Sequence, residues 1–356
     1  MRNKKKILVN TLGKGNMTTL VEFYKKNPNT SYKVIYKEYA KYKKYGFKHI
    51  YNRLLDYTGR YDLVLSDYPT KLYSRAKKGI FVNHGYGTKA TPGKEEFNNP
   101  KVMSVYDSMR ENLDYIVTMG KRDENYYLKY DSNYTKRYPE YVPLGLPRID
   151  CLFDSKEVEK QTTKIKAKYK IEGKKILLYS PTWRNYDIKE YTSNLCQELE
   201  ALNEYLKETD WIMIYRPHYI SGIFEEQKLK EYDNILVITS EMEPDVQPFL
   251  MASDVLMTDY SSIYLDFLVL NRPIIFLGFD YSYYAENRGL EIDYANYIET
   301  PGIKVSTFEE TQKYLEELKE KDDYQSRREE AQQLFYEYLD GQSSQRIWNL
   351  IDEILK

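Results

Sequence analysis

The stretch SDVLMTDYSSIYLDFLVLNRPIIF, residues 253–276, decides the fold. Its apolar run VLMT (255–258) reads as a strand, which DYSS (259–262) breaks. An apolar helix follows and stops before Arg272-Pro273, where a second strand, RPIIFLG (272–278), begins. Strand, turn, helix and strand in that order make a parallel βα unit. The same alternation runs upstream through KKILLYSP (174–181), DWIMIYRPH (210–218) and NILVITS (234–240). Before Cys151 an independent series occurs: KKILVN (5–10), YKVIY (32–36), YDLVLSD (61–67), GIFVNHG (79–85), YIVTMG (115–120) and KRYPEYVPLG (136–145).

The fold class is therefore α/β, with two Rossmann-like domains facing across a cleft. The change from GLPRIDCLF to the polar, Lys-rich SKEVEKQTTKIKAKYK sets the boundary within 148–160. The predicted domains are 1–155 and 156–356. The C-terminal helix, carrying the apolar stripe IWNLIDEIL, is expected to pack back on the first domain. A length of 356 residues suits two cores. With 42% hydrophobic and 30% charged residues and no repetitive tract, the chain reads as globular.

Charge excludes some functions. Lys plus Arg number 53 against 54 for Asp plus Glu, so contact with nucleic acid or anionic lipid needs a local patch. No nucleic-acid partner is expected, since no recognisable module is present. Cys151 and Cys196 lack metal or disulfide spacing, and a reducing cytoplasm fits them. The apolar part of MRNKKKILVNTLGKGN is too short for a signal or a span and reads as a first strand. The 39 tyrosines are read first as coding bias.

Four motifs, HGYGTK, SPTWR, RPH and TDYSS, each follow directly on a predicted strand, where open α/β sheets bind ligands. Of the three histidines, His84 and His218 end strands, and His49 reads as surface decoration. His84 is either a general base with a near-neutral pKa or a buried turn histidine. Gly85 and Gly87 beside it allow close backbone approach, and Lys89 adds a positive charge. Arg216 and His218 suit phosphate oxygens, or pair with a carboxylate. Ser261 and Ser262 would cap the helix after Asp259 and present its first N–H groups to an anion; otherwise this is a plain N-cap with Asp259 buried in a turn. Asp266, an odd acid in an apolar helix, pairs inward or braces the site. Thr182 supplies a hydroxyl, and Arg184 meets either the donor's phosphates or a structural acid. Arg288, in RGLEIDY, reaches the same phosphates or makes an exposed salt bridge.

Together these segments resemble the CDP-glycerol glycerophosphotransferase family, the bacterial teichoic acid primases and polymerases. HGYGTK is similar to that family's HGTPLK-type segment, YSPTWR to its PTWR, YRPH to its R-x-H, and TDYSSIYLDFLVLNRPIIF to its TDYSS block; the resemblance spans roughly residues 80–305. It implies a GT-B-type glycosyltransferase fold and transfer of glycerol phosphate from CDP-glycerol to a hydroxyl, with release of CMP and no essential metal or other cofactor. By carry-over His84 is the base, His218 joins it in catalysis, and Arg216, His218, Thr258, Ser261, Ser262 and Arg288 line the donor's diphosphate. Asn83 replaces the usual aromatic before HG, and Tyr86-Gly87 replace Thr-Pro, in the region that, with Gly85 and Lys89, should face the acceptor; the same resemblance has 1–155 facing acceptor and membrane and 156–356 holding the donor.

The resemblance also implies a polyprenyl-linked saccharide acceptor of teichoic acid or capsule assembly. Residues 37–56, with Tyr39, Tyr42, Tyr45, Phe47 and Tyr51 among lysines, suit a helix lying on an anionic membrane surface, or a solvated helix face. The expected location is the cytoplasmic face of the membrane, peripherally attached. Rival readings are a transferase using CDP-ribitol or a sugar nucleotide, and a non-catalytic nucleotide-binding subunit of an assembly complex.

Overall fold

A computed structural model describes residues 4–11, 13–38, 59–84, 87–89, 98–123, 139–184, 186–218, 223–224 and 226–356, the side chains of 189–191 and 226 excepted. The basic, aromatic stretch is thus described only at Lys37 and Glu38, and His49 and Gly85 lie outside the described residues. Two compact units emerge: Met1–Tyr86 with Pro92–Asp150 and Phe335–Lys356 form unit 1, and Gly87–Thr91 with Cys151–Leu334 form unit 2.

Unit 1 begins with β1 (Lys5–Thr11), α1 (Asn16–Lys26), β2 (Tyr32–Glu38), β3 (Tyr61–Ser66) and β4 (Ala76–Val82). It continues through α2 (Pro100–Asn112), β5 (Tyr115–Val117) and β6 (Glu140–Val142). The six strands are parallel in the order β2-β1-β3-β4-β5-β6. Ile7, Leu8 and Val9 on β1 and Leu63 and Val64 on β3 are fully buried, as continuous apolar runs must be in a sheet covered on both faces. Of the expected strand 136–145, residues 139–145 are described, and among them Glu140–Val142 is strand, with Pro143 next in line unable to donate to a ladder.

Unit 2 opens with α3 (Ser155–Tyr169), whose first N–H groups Asp154 caps, accepting from Lys156 N at 3.0 Å. There follow β7 (Lys175–Tyr179), α4 (Lys189–Glu208), β8 (Trp211–Tyr215), α5 (Glu226–Leu229), β9 (Ile235–Val237) and α6 (Gln247–Ala252). The unit is completed by β10 (Val255–Thr258), α7 (Ile263–Phe267), β11 (Ile274–Leu277), α8 (Tyr281–Asn287), β12 (Ile303–Val305), α9 (Phe308–Glu317) and α10 (Gln325–Phe335), which ends at the boundary with unit 1. Its parallel order β12-β11-β10-β7-β8-β9 is the doubly wound Rossmann order, reversing between β7 and β10.

The last helix, α11 (Ser343–Ile354), belongs to unit 1. Asp150 caps it, accepting from Ser343 N at 2.9 Å and Ser344 N at 2.8 Å. Trp348 stacks on Tyr24 of α1 at 4.9 Å and donates its indole N–H to the Leu20 carbonyl at 3.0 Å, so the ring is buried and its polar edge satisfied.

One expectation fails in part. The helix after DYSS is not continuous to Arg272: α7 spans five residues and passes into a 3-10 turn, Leu268–Leu270, ended by Asn271 in the left-handed region at φ 47°. Ser262 occupies the N-cap position without a side-chain cap bond, and Ser261 Oγ lies a long 3.5 Å from Ile263 N. So short a helix carries little of the dipole expected of it.

Candidate functional site

Because the winding of unit 2 reverses between β7 and β10, the loops leaving those strands diverge and open a crevice at their carboxyl ends. Asp259, after β10, stitches the two loops together: its carboxylate accepts from Thr182 N at 2.9 and 3.1 Å and from Ser261 N at 3.2 Å. Thr258 donates its hydroxyl to the Ser180 carbonyl at 2.7 Å. Asp259 is thus the turn-buried acid of the two alternatives read from sequence.

Arg184 lies between this turn and a third strand end. Its Nη1 donates to Asp259 at 2.7 Å and to the Thr182 carbonyl at 2.8 Å, while Nε and Nη2 grip Asp280, after β11, at 2.6 and 2.9 Å. The arginine side chain is 2% exposed and both carboxylates are fully buried. Tyr284, Tyr260 and Phe279 surround the guanidinium at 4.9, 5.2 and 5.4 Å. Tyr186 and Tyr260 donate their hydroxyls to Asp280 at 2.5 and 3.0 Å. Burial acts against the charge on Arg184, yet Asp259 and Asp280 override it and raise its pKa well above the ordinary value. Burial likewise pushes the Asp280 carboxyl up, but Arg184 and the two tyrosines bring it below the usual range. Arg184 therefore meets structural acids.

The short run Gly87–Lys89, which follows the His84 motif, belongs to unit 2. Lys89 forms an isolated antiparallel bridge with Leu290, Glu291 N donates to the Thr88 carbonyl at 3.0 Å, and Thr88 donates its hydroxyl to the Tyr260 carbonyl at 3.3 Å. This docking delivers the Lys89 ammonium to the Thr182 hydroxyl. Burial pulls the Lys89 pKa down to about 8; Asp259 opposes the drop, and Arg184 and Arg288 add to it. Arg288 is half-buried, and its Nε is buried without a hydrogen-bond partner. Among the described residues it makes no ion pair.

Of the other expected ligands, Arg216 is buried over the Phe249 ring at 5.2 Å and donates to the carbonyls of Ile238, at 3.5 Å, and Glu243. Burial lowers its pKa to about 10. His218 lies 6.4 Å from the half-buried Trp183, ring to ring, at 36°. Asp266 pairs inward, accepting from Gln247 Nε2 at 3.1 Å.

In unit 1, His84 is exposed just past β4. Its carbonyl accepts from the Arg148 guanidinium, the preceding Asn83 carbonyl accepts from Asn16 Nδ2 at 2.7 Å, and Asn16 Oδ1 accepts from Arg148 N at 3.1 Å. Asn16 and Arg148 thereby fix the backbone that carries His84. Neither was singled out from the sequence, and neither was Asp280 or Tyr260. Asp280 had a usable signal, its position three residues after the strand IIFL.

Two Rossmann-type units, with a buried charge network and clustered cations at the switch point of the second, place the chain in the doubly wound α/β class, whose members bind ligands at that point. Residues 7–353 match the family described as CDP-Glycerol:Poly(glycerophosphate) glycerophosphotransferase, and the chain belongs to that family. A teichoic acid glycerol-phosphate transferase of Staphylococcus aureus (strain NCTC 8325 / PS 47) is 33% identical over 216 residues, 58% of this chain and 53% of that protein. The chain thus spans about half the length of such curated relatives. A histidine-to-asparagine variant of the wall teichoic acid polymerase TagF superposes with a TM-score of 0.76 at 21% identity, covering 98% of this chain and 88% of that one. The same variant soaked with CDPG gives 0.73 at 21% identity, covering 99% and 90%. These likenesses establish the fold, two parallel-sheet units of GT-B type.

Proposed function

We propose that this chain transfers glycerol phosphate from CDP-glycerol to a hydroxyl of a lipid-linked teichoic acid or capsule acceptor and releases CMP. Family membership supports the reaction. The observation that supports the site is the cluster at the β7–β10 switch point in which Lys89 donates to the Thr182 hydroxyl and Arg288, near enough to act on the Lys89 charge, keeps a buried Nε without a partner. A diphosphate supplies the missing acceptor oxygens and the negative charge.

The acceptor oxygen attacks the donor's β-phosphorus and a P–O bond forms. The bond from that phosphorus to the oxygen shared with CMP breaks, and CMP departs with the electron pair. His84 takes the proton from the attacking hydroxyl. Charge on the transferring group is met by Lys89 and Arg288, a role that replaces a metal in this reading. His218, with Trp183 beside it, stands at the β8 end of the same crevice and is assigned to the donor's phosphate side. Among the described residues no helix is long and apolar enough to cross a membrane. Peripheral attachment through residues 37–56 at the cytoplasmic face is part of the proposal.

The test is CMP release by purified protein, offered CDP-glycerol or CDP-ribitol with a short lipid-linked disaccharide, with and without EDTA. Acceptor-dependent CMP from CDP-glycerol, lost in His84→Ala with CDP binding retained, is expected. Release from CDP-ribitol alone would replace the donor, and CDP binding without release from either would favour a non-catalytic subunit.

A further inference from the structure

Arg184 directly follows the Thr182 loop, yet at least four of its five N–H donors are already committed, to Asp280, Asp259 and the Thr182 carbonyl. It is also caged by three rings. With these four donors it could serve a phosphate only by abandoning two buried carboxylates. What it does hold is Asp259, and Asp259 in turn holds the backbone N–H groups of Thr182 and Ser261. Thr182 is the residue whose hydroxyl receives Lys89.

We propose that Arg184 is a positioning residue: by tying the ends of β7, β10 and β11 through Asp259 and Asp280, it sets the Thr182–Lys89 pair against the donor's phosphates without touching them. The inference rests on the donor reading above. Geometry and charge act together here. The forked guanidinium matches Asp280 with two parallel bonds, a fit that a lysine cannot reproduce. Its positive charge also offsets Asp259 as felt by Lys89, which Arg288 faces as well, while Tyr260 and Tyr284 line the same wall. Without Arg184, the full charge of Asp259 would fall on the Lys89 ammonium.

The charge-balanced variant Arg184→Gln/Asp280→Asn tests this without substrate. Lys89 is titrated by reductive methylation with carbon-13 label and NMR, so the result stands even if wild-type protein releases no CMP. The wild-type midpoint is expected at about 8. In the double variant it should rise by roughly 1 to 3 pH units as Asp259 acts on Lys89 without the offset from Arg184. A midpoint that stays near the wild-type value overturns the proposal. Where wild-type enzyme turns over, Arg184→Lys is expected to lower kcat roughly 10- to 100-fold with the donor KM changed less than about threefold. A raised donor KM at unchanged kcat would instead mark a direct phosphate contact. If the double variant does not fold, Asp280→Asn alone gives the same split: lower kcat supports the tie, and raised donor KM with intact kcat refutes it.

Discussion

Asp67 provides the sharpest test of the electrostatics of unit 1. It follows β3, where that sheet also reverses its winding, and it is 2% exposed. Oδ2 accepts from the Thr11 hydroxyl at 3.1 Å, but Oδ1 is buried with no partner. Burial dominates and lifts the carboxyl from 3.8 to about 7, with Thr11, backbone N–H groups and Arg148 restraining the rise. The native acid therefore keeps its proton up to about pH 7, whereas the unfolded acid ionises near pH 4. Between those values the unfolded state gains from ionisation and the native state does not, so stability falls as pH rises. At 1.36 kcal/mol per pH unit the span corresponds to an upper limit of about 4 kcal/mol. Asp67→Asn removes the ionisation at nearly constant shape. Its stability advantage should be near zero below pH 4, grow with pH, and level off above pH 7 at roughly 2 to 4 kcal/mol. Hydrogen exchange of the β1 and β3 amides, corrected for intrinsic rates, reads unit 1 alone. An advantage that is constant from pH 4 to 8, or a variant less stable than wild type at pH 8, would refute the reasoning.

Other outcomes follow from single contacts. Lys89→Ala and Arg288→Ala should each weaken CDP binding by roughly 10-fold or more in calorimetric titration, and wild-type affinity should decline as pH rises through about 8, where Lys89 loses its charge. Gly302→Ala places a Cβ 2.1 Å from the Ile274 carbonyl oxygen, a backbone atom of β11, and should cost about 1 to 3 kcal/mol, read as a lowered melting temperature. Arg328 is fully buried and donates to Asn271 Oδ1 and the Asn271 carbonyl, each at 3.1 Å, and to Asp322. Arg328→Met should release the left-handed Asn271 turn and cost about 1 to 3 kcal/mol in urea unfolding, the lower end reflecting the partial exposure of Asp322.

The parallel sheets were legible because each strand is a short apolar run closed by a motif, and a strand buried on both faces leaves that mark in the sequence. The stretches DWIMIYRPH (210–218) and RPIIFLG (272–278) contain β8 and β11, which occupy their apolar parts. The strand order, with its two reversals, was not legible, since apolar runs carry no record of their neighbours. The length of α7 was misread for a similar reason. LDFLVL (265–270) is apolar enough to continue a helix, but the 3-10 turn and Asn271 end it, held from outside by Arg328, a residue 57 positions away.

The site itself shows that arginines in strand-end motifs differ in how far the protein already engages them. Arg184, Arg216 and Arg288 all carry the donor geometry that suits a phosphate, and sequence alone ranks them equally. What separates them is whether acceptor oxygens of the protein already stand in front of each fork. Asp280 does so for Arg184 across 96 residues, and the carbonyls of Ile238 and Glu243 do so for Arg216. Arg288 alone of the three keeps a buried N–H without a partner. A protein that spends two guanidiniums on holding its loops can present the third, with Lys89, at fixed geometry. The division of labour also bears on the low pKa of Lys89: burial and the nearby guanidiniums make its charge costly, and in the proposed donor complex an anion would relieve that cost, so part of the energy of binding would come from that relief.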